Sequence, residues 1–433
     1  MIIRVSMRNF LSFNEETELS MVASKVRSHP DQVYHNIVEP VNKVLKLALI
    51  FGPNASGKSN VIKAIDFIRA SVTGRAGTML PITTYFKLQA PLSNTESKLE
   101  IDFKSNDELY RYGFLYDSGK YPEEWLYQIT PSSFKLLFHR KVAAGSRTID
   151  WGKTDFGPEE DREFYDFVNK ATPDNRPLLN ELRQRALPLY KSVYEWFDKL
   201  VIIYPNTRRG DYLHMYTSMD LQELYRENLI SCDTGISDIS FVDVEQKDVE
   251  RSIPEPVLRD MIANTPPLDN SLTLIHTPGS RYIMGFKDKM PFFKMMTFVH
   301  DIPNSNDRVL FDFLEESDGT IRLLDLIPLL GDVQNDRIVI IDELDRSLHP
   351  MLTKHIIETC VKNSMHTESQ LIATSHDVNL LDPDLIRRDA IWFVKKNRNM
   401  GSVLYSLEEF KTRNDKDLRN AYLEGLYGAI PYI

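Results

Sequence analysis

Apolar residues fall into short strand-length runs separated by amphipathic stretches of helical period, the alternation of an α/β protein. The opening MIIRVSMRNF alternates, with Ile3, Val5 and Met7 on one side, as a half-buried strand does. Leu45 to Phe51 is an apolar run interrupted only by Lys46, and Val61, Ile62, Ile65 and Ile68 then mark one face of a helix. Ile338 to Ile341 and Leu371 to Ala373 are continuous apolar runs, which predicts strands buried on both faces. In KLEIDFKSNDELYRYGFLYDSGKYPEEWLYQITPSSFKLLFHRK, strand-like runs alternate with turn clusters such as Asp117-Ser118-Gly119, predicting an antiparallel meander. Residues 157 to 230 turn helical, with EFYDFVNKA and ALPLYKSVYEWFDKLV at amphipathic spacing. A strand in DAIWFVKKN, the segment SVLYSLEEF and a final helix close the chain. No heptad pattern persists without a Pro or Gly break, so no long coiled coil is expected.

The most informative stretch links the second apolar run to its helix. Gly52-Pro53-Asn54-Ala55-Ser56-Gly57-Lys58-Ser59 fits G-x-x-x-x-G-K-[ST] at every defined position, with a strand before it and a helix after. Such a loop wraps a polyanion with backbone N–H groups, so glycines stand where a Cβ would collide or φ must be positive. The helix N-terminus adds partial positive charge. Lys58 is expected to reach the β and γ phosphates, and the Ser59 hydroxyl to ligate Mg²⁺.

The Ile338–Ile341 run ends in Asp342-Glu343. This acidic strand is expected beside the phosphate-loop strand, with Asp342 holding the Mg²⁺ shell through water and Glu343 polarising the attacking water as general base. In QLIATSHD, His376 stands just beyond the next short strand, which places it near the γ-phosphate.

Together these pieces resemble the ABC-type ATPase heads of the SMC and RecF group rather than AAA+ ring proteins. GPNASGKSN, which runs on through Asn60, looks like that group's phosphate loop, IIDELD its acidic strand and TSHD its switch histidine. MRNFLSF is similar to its N-terminal strand and turn; Ser12 is carried over as a nucleotide contact, while Leu11 stands where relatives have a basic residue. The resemblance also implies a signature ahead of a helix. Ser317 precedes Asp342 by 25 residues (342 minus 317), and ESDGT looks like a divergent S-x-G-T form carrying Ser317 and Gly319. With Ser317 as N-cap, that helix end would bind the γ-phosphate held by a second copy, so ATP would be sandwiched in a homodimer, with a larger ring also open. Asp345 would fall in the loop crossing this interface. Gln89 and Gln128 are candidates for the glutamine switch, neither in a clear motif.

More narrowly, SCDTGISDI, EESDGTIRLLDL and the terminal YLEGLYGAIPYI resemble the ATPase subunits of bacterial anti-phage and abortive-infection systems, including PARIS-type and AbiL-like proteins. This resemblance implies an ATP-hydrolysing sensor or scaffold that answers a phage-derived trigger and controls a separate effector, such as a Toprim-like nuclease. Only 57 residues follow His376 (433 minus 376), too few for a fused nuclease domain. The alternative is a RecF-type repair ATPase with DNA as its partner.

Composition bounds these readings without choosing between them. A net charge of −10, from 52 basic and 62 acidic residues, argues against a globally basic nucleic-acid coat but leaves local patches open. Arg140-Lys141, Arg208-Arg209, Arg387-Arg388 and Lys395-Lys396-Asn397-Arg398 are such patches, read either as solvated surface or as duplex contacts. Two cysteines, Cys232 and Cys360, lack C-x-x-C spacing and read as reduced thiols of a cytoplasmic protein. Neither a signal peptide nor an apolar segment of bilayer-spanning length is apparent. The expected fold is a P-loop ABC-type head, and the ABC resemblance covers residues 1 to about 105 and about 290 to 433. The expected division is a phosphate-loop lobe at 1–105, an antiparallel β subdomain at 106–155, a mostly helical partner-docking insertion at 156–290 and a C-terminal lobe at 291–433.

Overall fold

A computed structural model describes residues 1–35, 37–74, 83–89, 95–143, 146–157, 159–210, 212–269, 271–410 and 417–430. The last three residues of YLEGLYGAIPYI lie outside it. The chain divides into two compact units, one of residues 1–206, 332–345 and 353–433, the other of 207–331 and 346–352.

In the first unit, six strands order as Leu200–Ile203, Ile338–Ile341, Gln370–Thr374, Leu47–Phe51, Ile391–Lys396 and Ser402–Ser406. The first five are parallel and the last is antiparallel. Ile338–Ile341, Gln370–Thr374 and Leu47–Phe51 are buried at every position, which explains why their sequences run apolar rather than alternate. Lys46, just before the phosphate-loop strand, is satisfied by the carbonyls of Ser364 and Met365.

The acidic strand does not lie beside the phosphate-loop strand as expected. Gln370–Thr374 stands between them. All three are parallel, so their C-terminal ends still open on one edge, where the phosphate loop and both acids emerge.

A second sheet of the same unit is antiparallel, ordered Ser146–Asp150, Phe134–Ala143, Glu123–Ile129, Glu108–Tyr116, Ser97–Ser105, Ile2–Arg8 and Thr17–Ser20. The meander is therefore continuous with the N-terminal strand rather than a separate 106–155 subdomain. Helix Lys58–Thr73 buries Val61, Ile62, Ile65 and Ile68 completely. Its Phe67 meets Phe10, Phe114 and Tyr116, with ring centroids at 5.7, 6.0 and 4.8 Å, which seats the helix on the antiparallel sheet.

In the second unit, Ile236–Val244, Met290–Asp301, Arg281–Lys287 and Leu272–His276 form an antiparallel sheet, with Arg308–Phe311 pairing Met290–Asp301. Val249, Leu258, Ile275, Tyr282, Met284 and Phe293 build its core. Helices hold more of 156–290 than strands do, but Ile236–Val244, Leu272–His276 and Arg281–Lys287 form part of an antiparallel sheet that the mostly helical reading did not include. Arg281–Lys287 is buried at six of seven positions, so it shows no alternation, and its partner strand Met290–Asp301 mixes three methionines with its Phe, Thr and Val residues. Leu200–Ile203, read as the tail of a helix, is instead the edge strand beside Ile338–Ile341. The expected boundaries at 156, 290 and 291 also shift: residues 156–206 join the first unit, and 291–331 the second.

Candidate nucleotide-binding site

The loop after Leu47–Phe51 is shaped by two glycines and one strained alanine. Gly52 has φ 153°, and a Cβ there would lie 2.3 Å from the Val394 carbonyl oxygen; Gly57 has φ 117°, and a Cβ would lie 2.3 Å from Ser402 Oγ. Ala55 takes φ 59°, the left-handed region that a non-glycine residue rarely adopts. Helix Lys58–Thr73 starts directly from this loop. Lys58 Nζ donates back to the carbonyls of Gly52 (2.8 Å) and Pro53 (3.1 Å). Inside the loop, Ser56 Oγ is buried with no hydrogen-bond partner among the described residues. An orphaned hydroxyl and a ring of backbone N–H groups fit a phosphate chain.

Ser59 Oγ donates to Asp342 Oδ1 at 3.0 Å, and Thr374 Oγ1 donates to the same oxygen at 2.7 Å. The Thr374 hydroxyl also accepts from Glu343 N at 2.8 Å, and Leu344 N donates to the Thr374 carbonyl at 3.0 Å. Glu343 is thereby held at φ 53°. Its carboxylate makes no hydrogen bond among the described residues, leaving it available to a ligand or water. The Ser59 hydroxyl and Asp342 carboxylate are hard oxygen donors of the kind Mg²⁺ takes alongside waters and phosphate oxygens.

His376 N donates to the Asp345 carboxylate at 3.1 and 3.2 Å, which fixes the switch loop to the acidic loop. Partial desolvation and then the Lys58 ammonium lower the His376 pKa, against the pull of Asp345, Glu343 and Asp342. The neutral ring is favoured. Burial pushes Lys58 down to about 8, opposed by Asp342, Asp345 and Glu343. As pH rises through about 8, the amine of the free protein loses its proton and a phosphate must recover it. Nucleotide affinity is therefore expected to fall above that pH, with proton uptake on binding measurable by calorimetry in two buffers of different ionisation enthalpy.

The sequence-predicted residues Gly52, Asn54, Ala55, Ser56, Gly57, Lys58, Ser59 and Asn60 form the loop and first helical turn. Ser12 joins them, its Oγ accepting from Asn60 Nδ2 at 2.7 Å. Asp342, Glu343, Asp345 and His376 gather at the same edge of the sheet. Ser317 and Gly319 lie in the second unit, where Ser317 caps helix Asp318–Leu326 by accepting from Thr320 N at 3.1 Å. Gly319 passes so close to the Ser347 carbonyl that a Cβ would lie 2.7 Å from its oxygen. A cavity of about 610 Å³ lies over this turn, lined also by Cys232, Asp233 and Thr234 of the SCDTGISDI stretch. Gln128 donates to Glu108 at 2.8 Å within the antiparallel sheet.

Sequence reasoning missed Thr374 and Ser402. Thr374 was legible in principle, two residues before His376 in ATSHD. Ser402 carries no motif: it reaches Ser12 across 390 residues of chain, at 2.8 Å, and donates to the Ser56 carbonyl at 2.5 Å. The basic pairs also change meaning. Arg140 is fully buried on Asn169 and the Thr172 and Arg176 carbonyls; Arg387 is buried on Asp389 and the Ser28 and Val26 carbonyls; Arg208 pairs with Asp325. These arginines serve the fold.

A strand–phosphate loop–helix unit on a parallel sheet, joined in one unit with an antiparallel sheet, is the core of a P-loop nucleotide-binding domain. More narrowly, residues 47–382 match the family described as "AAA domain, putative AbiEii toxin, Type IV TA system", and the chain belongs to that family. Among solved structures it is similar to an SMC head bound to the C-terminal winged-helix domain of ScpA, at 13% identity and TM-score 0.43, covering 94% of this chain and 98% of that one. It is also similar to the SMC head domain from Thermotoga maritima, at 12% and 0.38, covering 94% and 98%. A third likeness is an Smc head with an extended coiled coil bound to the C-terminal domain of ScpA derived from Pyrococcus furiosus, at 13% and 0.40, covering 98% and 99%. No curated protein matches the sequence. Among the described residues, no helix is long and apolar enough to cross a membrane.

Proposed function

We propose that this chain hydrolyses ATP with Mg²⁺ and works as the nucleotide-driven subunit of a cytoplasmic anti-phage system of the PARIS or AbiL kind. The observation that carries this reading is the arrangement around Thr374: one hydroxyl holds Asp342 against Ser59 while fixing the backbone of Glu343, whose carboxylate has no hydrogen bond among the described residues. Bound ATP and Mg²⁺ would supply the electrophilic γ-phosphorus and its charge neutralisation. Lys58 and the loop N–H groups hold the phosphates, Ser59 and Asp342 hold the metal, and Glu343 accepts the proton of the attacking water.

Two copies close on two nucleotides, each giving its Ser317–Thr320 helix end to the γ-phosphate gripped by the other. The free N–H groups of that capped end are suited to an anion. Closure and reopening, the latter set off by hydrolysis or a phage-derived trigger, change how a separate effector chain is held; a Toprim-like nuclease is the effector proposed. The burial of Arg140 and Arg387 withdraws the support those pairs lent to duplex DNA as the partner.

Ser317→Arg tests the shared site. ATP binding by the single head is expected to stay at the wild-type affinity, while ATP-dependent dimers disappear from light scattering and turnover falls by at least about 10²-fold. Loss of single-head binding, or dimers that persist with full turnover, would show that the signature turn has no role in trans.

A further inference from the structure

Lys396, beside the phosphate loop, is a cation without a counter-charge among the described residues. Strand Ile391–Lys396 runs parallel to Leu47–Phe51, pairing Phe393 with Phe51, on the side away from the acidic strand. Gly52 touches this strand at the Val394 carbonyl, two residues before Lys396. Lys396 Nζ donates to Ser402 Oγ at 3.2 Å. From there polar contacts lead to Ser12 Oγ (2.8 Å), to the Ser56 carbonyl (2.5 Å) and, through Ser12, to Asn60 in the first turn of the phosphate-loop helix (2.7 Å). No carboxylate belongs to this chain of contacts. Lys396 forms no ion pair among the described residues, and its pKa is lowered by burial with no acid to offset it.

A partly buried ammonium resting on a neutral hydroxyl is a poor contributor to stability, since its desolvation is repaid only weakly. An anion arriving on this side of the loop would supply the missing charge. Lys58 would serve the β and γ phosphates, and the acids that would hold a metal lie on the other flank, beyond Gln370–Thr374. The turn at Leu11 and Ser12 brings no charge of its own.

We propose that Lys396 pairs with the α-phosphate of the bound nucleotide, an inference that rests on the ATP-binding reading above. Ser402 then positions the ammonium while unliganded and releases it when nucleotide enters. The α-phosphate is common to ATP and ADP, so the contact sets affinity for both and does not distinguish them.

The test is calorimetric titration of the full chain with Mg·ATP and with Mg·ADP. Lys396→Met is expected to weaken both by the same factor, about tenfold. Lys396→Arg is expected to restore most of the loss. Lys395→Met, whose amine rests 4.7 Å from the centre of the Tyr405 ring, is expected to bind as wild type does. Lys396→Gln takes the place of the methionine variant should that one fail to fold. Unchanged affinity on removing the Lys396 charge overturns the inference, and a loss confined to ATP overturns the α-phosphate assignment. Wild-type protein that binds neither nucleotide overturns the ATP-binding reading itself, a separate outcome.

Discussion

Glu343→Gln is expected to lower ATP turnover by about 10²–10⁴-fold while leaving nucleotide binding intact. The substitution keeps size and geometry but removes the only feature a general base needs, an acceptor of protons. The Glu343 backbone N–H would still donate to Thr374, and Asp342 would keep both its hydroxyl partners, so the metal side of the site is untouched. With hydrolysis blocked, ATP-bound pairs should accumulate. Light scattering with ATP should then show twice the monomer mass for Glu343→Gln, and a variant that turns over ATP at the wild-type rate would remove Glu343 from the chemistry.

The second large effect is expected from Lys58→Ala. The residue is 6% exposed and its ammonium is held by two loop carbonyls, so it is already largely desolvated before any ligand arrives. Exchanging those carbonyls for phosphate oxygens replaces a neutral contact by a charged one. Losing it should weaken ATP by roughly 10²–10³-fold. The fold should survive, because only two weak acceptors are left unpaired. Fluorescent-nucleotide titration beside a thermal melt would separate the two effects, and near-normal binding would contradict the assigned role of the lysine.

The part of the site that could be read in the sequence is the part built from local chain. The phosphate loop, with its preceding strand and following helix, is one contiguous stretch, and Asp342-Glu343 closes an unbroken apolar run. Contacts between distant segments left no such trace. Thr374 organises both acids because its strand lies between theirs and the loop's, an order no single strand announces. Ser402 reaches Ser12 only once a hairpin has folded back over the phosphate loop. Within 156–290, strand Arg281–Lys287 escaped notice for a physical reason: buried at six of seven positions, it shows no alternation, and its methionine suits either structure. The basic pairs were legible only as residues, since partners of Arg140, Arg208 and Arg387 come from other stretches of chain and leave no trace beside them in the sequence.

The backbone of Glu343 carries a consequence of its own. Left-handed φ at a non-glycine residue costs of order 1–3 kcal/mol, and asparagine or glycine would occupy that conformation more cheaply. A long acidic side chain at such a position is poorly chosen for foldability. Glu343→Gly would relieve that cost and lose the carboxylate with it, so at this position local stability and the placing of the acid pull in opposite directions.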